Sequence, residues 1–341
     1  MTPRLRPFAF AFVGLVALSA GSAVPQAQYR PSVPVRIEIR AAPIPYFEHR
    51  NPERIRFGAL EFRGGLVLAS SYEHFGGLSG LHVAPDGEHF LSLSDKGHWL
   101  RGRIIYDGDR ATGIADAEMA PILGPDGRPL WERGWYDTES LAVDGGTLYV
   151  GIEKVHQIVR FDYGKDGLLA RGQPIPLPPG VRTLPSSKGL EALAFVPKGM
   201  PLAGTLVAIS EHGLDASGNL KAFLIGGPSP GDFTVKRSDD YDATDAAITP
   251  AGELLLLERR FSILRGAGLR IRRIPLGALK PGALVDGEIL IDANLAYEID
   301  NMEGIAVHRN AAGETILTLI SDDNFNPLQR TILLRFALIG R

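Results

Sequence analysis

Apolar positions along this chain fall in short runs broken by turns of Gly, Pro, Asn and Asp, a pattern of strands and hairpins. No long amphipathic helix is visible. Five segments repeat one layout: a small or acidic residue, an apolar run, a turn, a second apolar run and an acid. They run from Ser79 through Pro85-Asp86-Gly87 to Asp95, from Glu139 through Asp144-Gly145-Gly146 to Glu153, and from Glu191 to Glu211. The last two run from Asp245 through Pro250-Ala251-Gly252 to Glu258, and from Glu303 through Asn310–Gly313 to Asp322. The starts at 79, 139, 191, 245 and 303 give steps of 60, 52, 54 and 58 residues. That period, with short strands and Gly-containing turns, fits the blades of a β-propeller. Continuous apolar runs in place of clean alternation indicate strands buried on both faces. Outer strands are expected at 158–161 and 332–336, and segments 34–40 and 55–69 can supply a further blade closed by the last strand. The reading is an all-β propeller of six blades, with five as the alternative because the sixth lacks the motif. A β-sandwich would not explain the even spacing.

Within an antiparallel hairpin, residues equidistant from the turn lie side by side. Glu139 with Glu153, Asp245 with Glu258, and Ser79 with Asp95 each centre on their turns, so each pair sits at the open end of its hairpin. Rotation between blades gathers those ends at one face. Glu139, Glu191, Asp245 and Glu303 are then expected to approach the axis, surrounded by Asp95, Glu153, Glu211, Glu258 and Asp322. Two carboxylates about 6 Å apart repel by roughly 3 kcal/mol at an effective dielectric near 20, so a gathered set needs protons or a cation. Oxygen-only donors suit Ca²⁺, whereas zinc or copper would want His and Cys. The simpler alternative is that these acids cap strands and pair with adjacent bases. A base does follow the second acid in Asp95-Lys96, Glu153-Lys154, Glu211-His212 and Glu258-Arg259, but not in Asp322-Asp323. Such bases either salt-bridge within their own blade or rim the mouth as a site for phosphate or carboxylate.

Composition narrows the setting. The 341 residues carry a formal net charge of -3, so nothing global points to nucleic acid or an anionic membrane surface. Arg4 and Arg6, the uncharged apolar stretch Phe8–Ala20 and the small residues to Ala23 read as a signal peptide over residues 1–28. Residues 29–341 then form one domain, periplasmic or secreted, with no membrane attachment once the leader is removed. The chain has no cysteine, hence neither a disulfide nor a lipid-modified thiol. A Gly-x-Ser-x-Gly elbow, a P-loop, a His-Glu-x-x-His helix and a dinucleotide fingerprint are all missing. Asp240–Asp245 looks like a calcium loop but lacks the Gly and terminal Glu of an EF-hand.

The set Gly76–Leu81, Ser94–Gly97, Asp137–Ala142, Gly189–Leu193, Leu257–Phe261, Asn301–Ile305 and Ser321–Phe325 resembles the bacterial phytase-like family known for "esterase-like activity of phytase". The resemblance runs in order over roughly residues 54–338 and implies an exported propeller with hydrolytic activity on phosphate or carboxylate esters. It does not supply a settled set of catalytic residues. Two functions follow as expectations. In the first, Glu139, Glu191, Asp245, Glu303 and Asp95 hold Ca²⁺, Glu211 or His212 helps deprotonate water, and Lys96, Lys154 and Arg259 bind a small anionic or ester substrate. In the second, the chain is a non-catalytic binding or scaffold propeller in which calcium is structural. A monomer is expected in both.

Overall fold

Each repeated hairpin forms the inner half of its own antiparallel sheet in the computed structural model, which describes residues 33–262 and 266–340. The innermost strands are Leu78–Val83, Thr138–Asp144, Leu190–Phe195, Asp242–Ile248 and Asn301–Arg309. Each touches the next around a ring, and the fifth touches the first. The molecule is therefore an all-β propeller of five blades, numbered here in chain order. The expected leader, residues 1–28, lies outside the described residues. No helix among the described residues is long and apolar enough to cross a membrane.

Six blades are corrected to five by the fate of the N-terminal segments. Val35–Arg36 pairs with Arg110–Pro121 at the outer edge of blade one. Arg40–Ile44 and Leu60–Ala69 join blade five, where Leu60–Ala69 runs beside Thr331–Leu338 and Leu66 faces Leu333. Lacking an inner hairpin of their own, these strands complete sheets founded elsewhere. The pairing of early and late strands closes the ring.

Burial on both faces explains the apolar runs. The described residues form five apolar clusters, one at each blade interface. Leu254 to Leu257 show the mechanism, since successive side chains of a strand point to opposite faces. Leu255 and Leu257 pack with blade five, Leu254 and Leu256 pack with blade three, and all four are wholly buried. Each such burial contributes about 1.5–3 kcal/mol.

One local irregularity recurs where the inner strand begins. In blades two to five the ladder skips Glu139, Glu191, Thr244 and Glu303, each left unpaired opposite its neighbour strand. Blade one has the same bulge at Ser79–Gly80, where Gly80 adopts φ of 53°. A bulge bends its strand and re-aims a side chain. Here it turns the skipped position toward one end of the propeller axis.

Candidate functional site

Two rings of side chains meet at that end. The bulges supply the inner ring: Glu139, Glu191 and Glu303 line the cavity, while Thr244, which donates to the Met302 carbonyl, and Ser79, which precedes the skipped Gly80, take the equivalent places in blades four and one. The outer ring comes from the far ends of the second strands, at Asp95, Glu153, Glu211, Arg259 and Asp322. The register sets this equivalence: backbone N–H groups of Asp95, Glu153 and Glu211 donate to the carbonyls of Gly77, Asp137 and Gly189, while Arg259 and Asp322 pair with Asp242 and Asn301. Together these ends enclose a polar cavity of about 290 Å³.

Its wall holds eight carboxylates, from Asp95, Asp137, Glu139, Glu153, Glu191, Glu211, Glu303 and Asp322, against two cations, Lys188 and Arg259. If all were ionised, eight negative and two positive charges would leave six negative charges in one pocket. Burial is the main cause pushing the Glu139 and Glu191 carboxyls well above the ordinary range, helped by the charges of Glu303 on the first and Glu211 on the second. Burial likewise lifts Glu303 to about 7, against the opposing pull of Arg259, and Asp322 to about 7, against a hydrogen bond from the Asn324 backbone. Asp95, Asp137 and Glu153 are raised for the same first reason. The cavity therefore exchanges protons near neutrality and favours any cation that replaces them.

Specific contacts order the rings. The Ser79 hydroxyl donates to Glu139 Oε2 at 2.8 Å, and the Gly189 N–H donates to Glu153 Oε1 at 2.7 Å. Arg259 Nε lies 2.8 Å from Glu303 Oε1, and its Nη2 donates to Glu211 Oε1 at 3.1 Å, so one guanidinium links blades three and five. Its proton is held more tightly than usual, first by Glu303. Lys188 Nζ sits 2.8 and 2.6 Å from the two oxygens of Glu211. Oxygens of Glu153, Glu191 and Glu211 lie within 4.8 Å of one another. Glu191 is only 7% exposed, opens onto the cavity, and accepts no hydrogen bond from the described residues.

Of the positions singled out in the sequence, Asp95, Glu139, Glu191, Glu211, Glu303 and Arg259 converge on the cavity, with Glu153 and Asp322 beside them. Asp245 does not. Its fully buried carboxylate accepts from the Ala246 and Ile305 N–H groups, each at 2.8 Å, tying blade four to blade five. Glu258 is also turned away: Arg272 donates to both of its oxygens at 2.7 and 2.6 Å, with both side chains buried. Both displacements have one cause. In blade four the motif is offset by one residue, so Thr244 and Arg259 occupy the ring positions, and Asp245 and Glu258 point to the other side of their strands. His212 does not line the cavity; its Nδ1 lies 2.8 Å from Asp242 Oδ1, which also accepts from Arg237 Nε at 2.8 Å. Lys96 lies over the Phe325 ring at 3.2 Å and Lys154 over Tyr136 at 5.6 Å, both beside the wall rather than in it. Lys188 and Asp137 were not singled out from the repeat. The run Ser186-Ser187-Lys188 directly before the Gly189-Leu190-Glu191 motif was the signal available for Lys188.

Fold and cavity together define a five-bladed propeller whose axial mouth is lined by carboxylates. The family model described as "Phytase-like: Esterase-like activity of phytase" matches residues 73–325, and the chain belongs to that family. No curated protein matches its sequence. Among solved structures, glutaminyl cyclase from Myxococcus xanthus is 11% identical with a TM-score of 0.41, covering 78% of this chain and 92% of that one. The PQQ-bound aldose sugar dehydrogenase from Streptomyces coelicolor is 14% identical with a TM-score of 0.39, covering 88% and 100%. Likeness at this level carries no functional argument.

Proposed function

We propose that the cavity holds a divalent cation, calcium by the chemistry of its donors, and hydrolyses small anionic esters, either phosphoesters or carboxylic esters. The observation that carries this reading is Glu191: a buried carboxylate to which none of the described residues donates a hydrogen bond, with an oxygen within 4.8 Å of oxygens of Glu153 and Glu211. Oxygens sharing one Ca²⁺ at about 2.4 Å can be no further apart than about twice that distance, which suits their 4.8 Å grouping. Ser187, Asn301 and Asn324 add neutral oxygens to the wall, in keeping with the six to eight that calcium takes. A bound divalent ion supplies neutralisation of an anionic ester and a lowered pKa for water. The chain's own groups do the rest. Glu303 and Asp322, both titrating at about 7, can take up or release a proton at working pH. The Arg259 guanidinium stays charged and keeps Glu303 and Glu211 in place. Export through the leader expected over residues 1–28, to the periplasm or medium, fits a protein that draws on free calcium.

Calorimetric titration with calcium, followed by a panel of nitrophenyl phosphate and carboxylic esters with and without chelator, tests the reading. Chelator-sensitive turnover is expected, with Glu191→Gln weakening calcium at least tenfold and abolishing turnover. No calcium binding by the unaltered protein would end it. One observation favours a second reading, structural calcium in a non-catalytic propeller: Glu153 belongs to blade two while Glu191 and Glu211 belong to blade three, so an ion there would cross-link blades. Calcium that raises the melting temperature without any turnover would select that alternative.

A further inference from the structure

The two cations among the cavity's carboxylates are held in different ways. Arg259 is gripped from both sides, by Glu211 and Glu303, and its side chain is 28% exposed. Lys188 stands on the loop entering blade three and, among the described residues, pairs with Glu211 alone, through a side chain that is 42% exposed. Its ammonium engages both oxygens of Glu211, one of the three carboxylates whose oxygens cluster within 4.8 Å. A divalent cation held by Glu153, Glu191 and Glu211 would therefore compete with Lys188 for the same acceptors.

We propose that Lys188 is a resident stand-in for the divalent ion, and that ion binding expels its ammonium to the mouth, where it docks the anionic group of the substrate. The inference rests on the cation reading given above. Two positive groups sharing one carboxylate repel each other in a confined pocket, and the half-exposed, singly anchored Lys188 is the one free to leave. Arg259 cannot serve as the docking charge, because Glu211 and Glu303 already occupy it. Without an ion, the acidic wall faces an incoming anion and Lys188 is spent on Glu211. With an ion bound, part of the negative charge is covered and a mobile ammonium is released beside it. Binding is then ordered, cation first and anion second, and the substrate class is an ester that itself carries a phosphate or carboxylate charge.

Calcium titration of Lys188→Met against the unaltered protein reads the first half. Loss of a competing, partly exposed ion pair should tighten calcium roughly two- to fivefold. Inorganic phosphate titrated into the calcium-loaded proteins reads the second half: Lys188→Met should bind it about tenfold more weakly, and Lys188→Arg should retain it. Acetylation of Lys188 by acetic anhydride, followed by mass spectrometry in the unaltered protein, needs no variant and should accelerate on adding calcium but not sodium. Calcium affinity in Lys188→Met that is unchanged or weaker, phosphate affinity that does not fall, or labelling indifferent to calcium would each overturn the proposal. An unaltered protein that binds no calcium at all would overturn the cation reading itself.

Discussion

Blade four and its companions share one backbone plan and differ in what they send to the axis. Blades one, two, three and five each place an acid in the outer ring, whereas blade four places Arg259 there and buries its own acid, Glu258, against Arg272. The four acidic positions build a negative field that no single pair neutralises. The odd blade answers it with a fixed charge that reaches sideways to both neighbours. A shift of one residue along a strand is enough to trade these roles, because it moves every side chain to the other face. Charge in such a cavity is thus set blade by blade.

That contrast can be broken most severely within blade four. Arg272→Met should leave Glu258 buried without a partner and cost about 3–5 kcal/mol in urea unfolding, with most of the loss recovered when Glu258 is also made apolar. A single variant as stable as the parent would show that the pair is not the anchor described. Arg259→Met should cost less, about 2 kcal/mol, by removing the partner of Glu303 and Glu211. Calcium should restore most of that loss, as measured by melting temperature, because an ion replaces the missing charge. The third effect is on pH. Folding raises Glu303 from 4.5 and Asp322 from 3.8, each to about 7, so the folded protein binds the extra protons. Their stabilising contribution is full below the unfolded values and is lost as pH rises through about 7. The calcium-free melting temperature should fall between pH 5 and 8, fall further in Arg259→Met, and level out with calcium present. A rise over that interval would contradict the buried acidic wall.

Much of the cavity was legible because its acids sit at a repeated place in a repeated hairpin. Glu139, Glu191 and Glu303 recur with the blade period, and hairpin geometry alone puts Glu153, Glu211 and Asp322 beside them. Blade four misleads because Asp245 and Glu258 imitate the spacing one residue out of phase; only strand pairing reveals that the bulge falls on Thr244. Blade number was hidden for a similar reason. Leu60–Ala69 reads as a strand in any sequence, but its partner Thr331–Leu338 lies at the other end of the chain, and local pattern says nothing about so distant a pairing. Lys188 stands on a connection outside the repeat, where periodicity has no purchase.

The seam between Leu60–Ala69 and Thr331–Leu338 has a consequence for when the cavity can exist. Glu303, Asn301 and Asp322 arrive late in synthesis, and they are brought opposite Glu139 and Glu153 only once that final strand clasps the early one. A nascent polypeptide stopped before Thr331 carries every residue of the cavity wall yet lacks the strand that closes the ring. The complete ring of carboxylates is thereby reserved for the closed propeller.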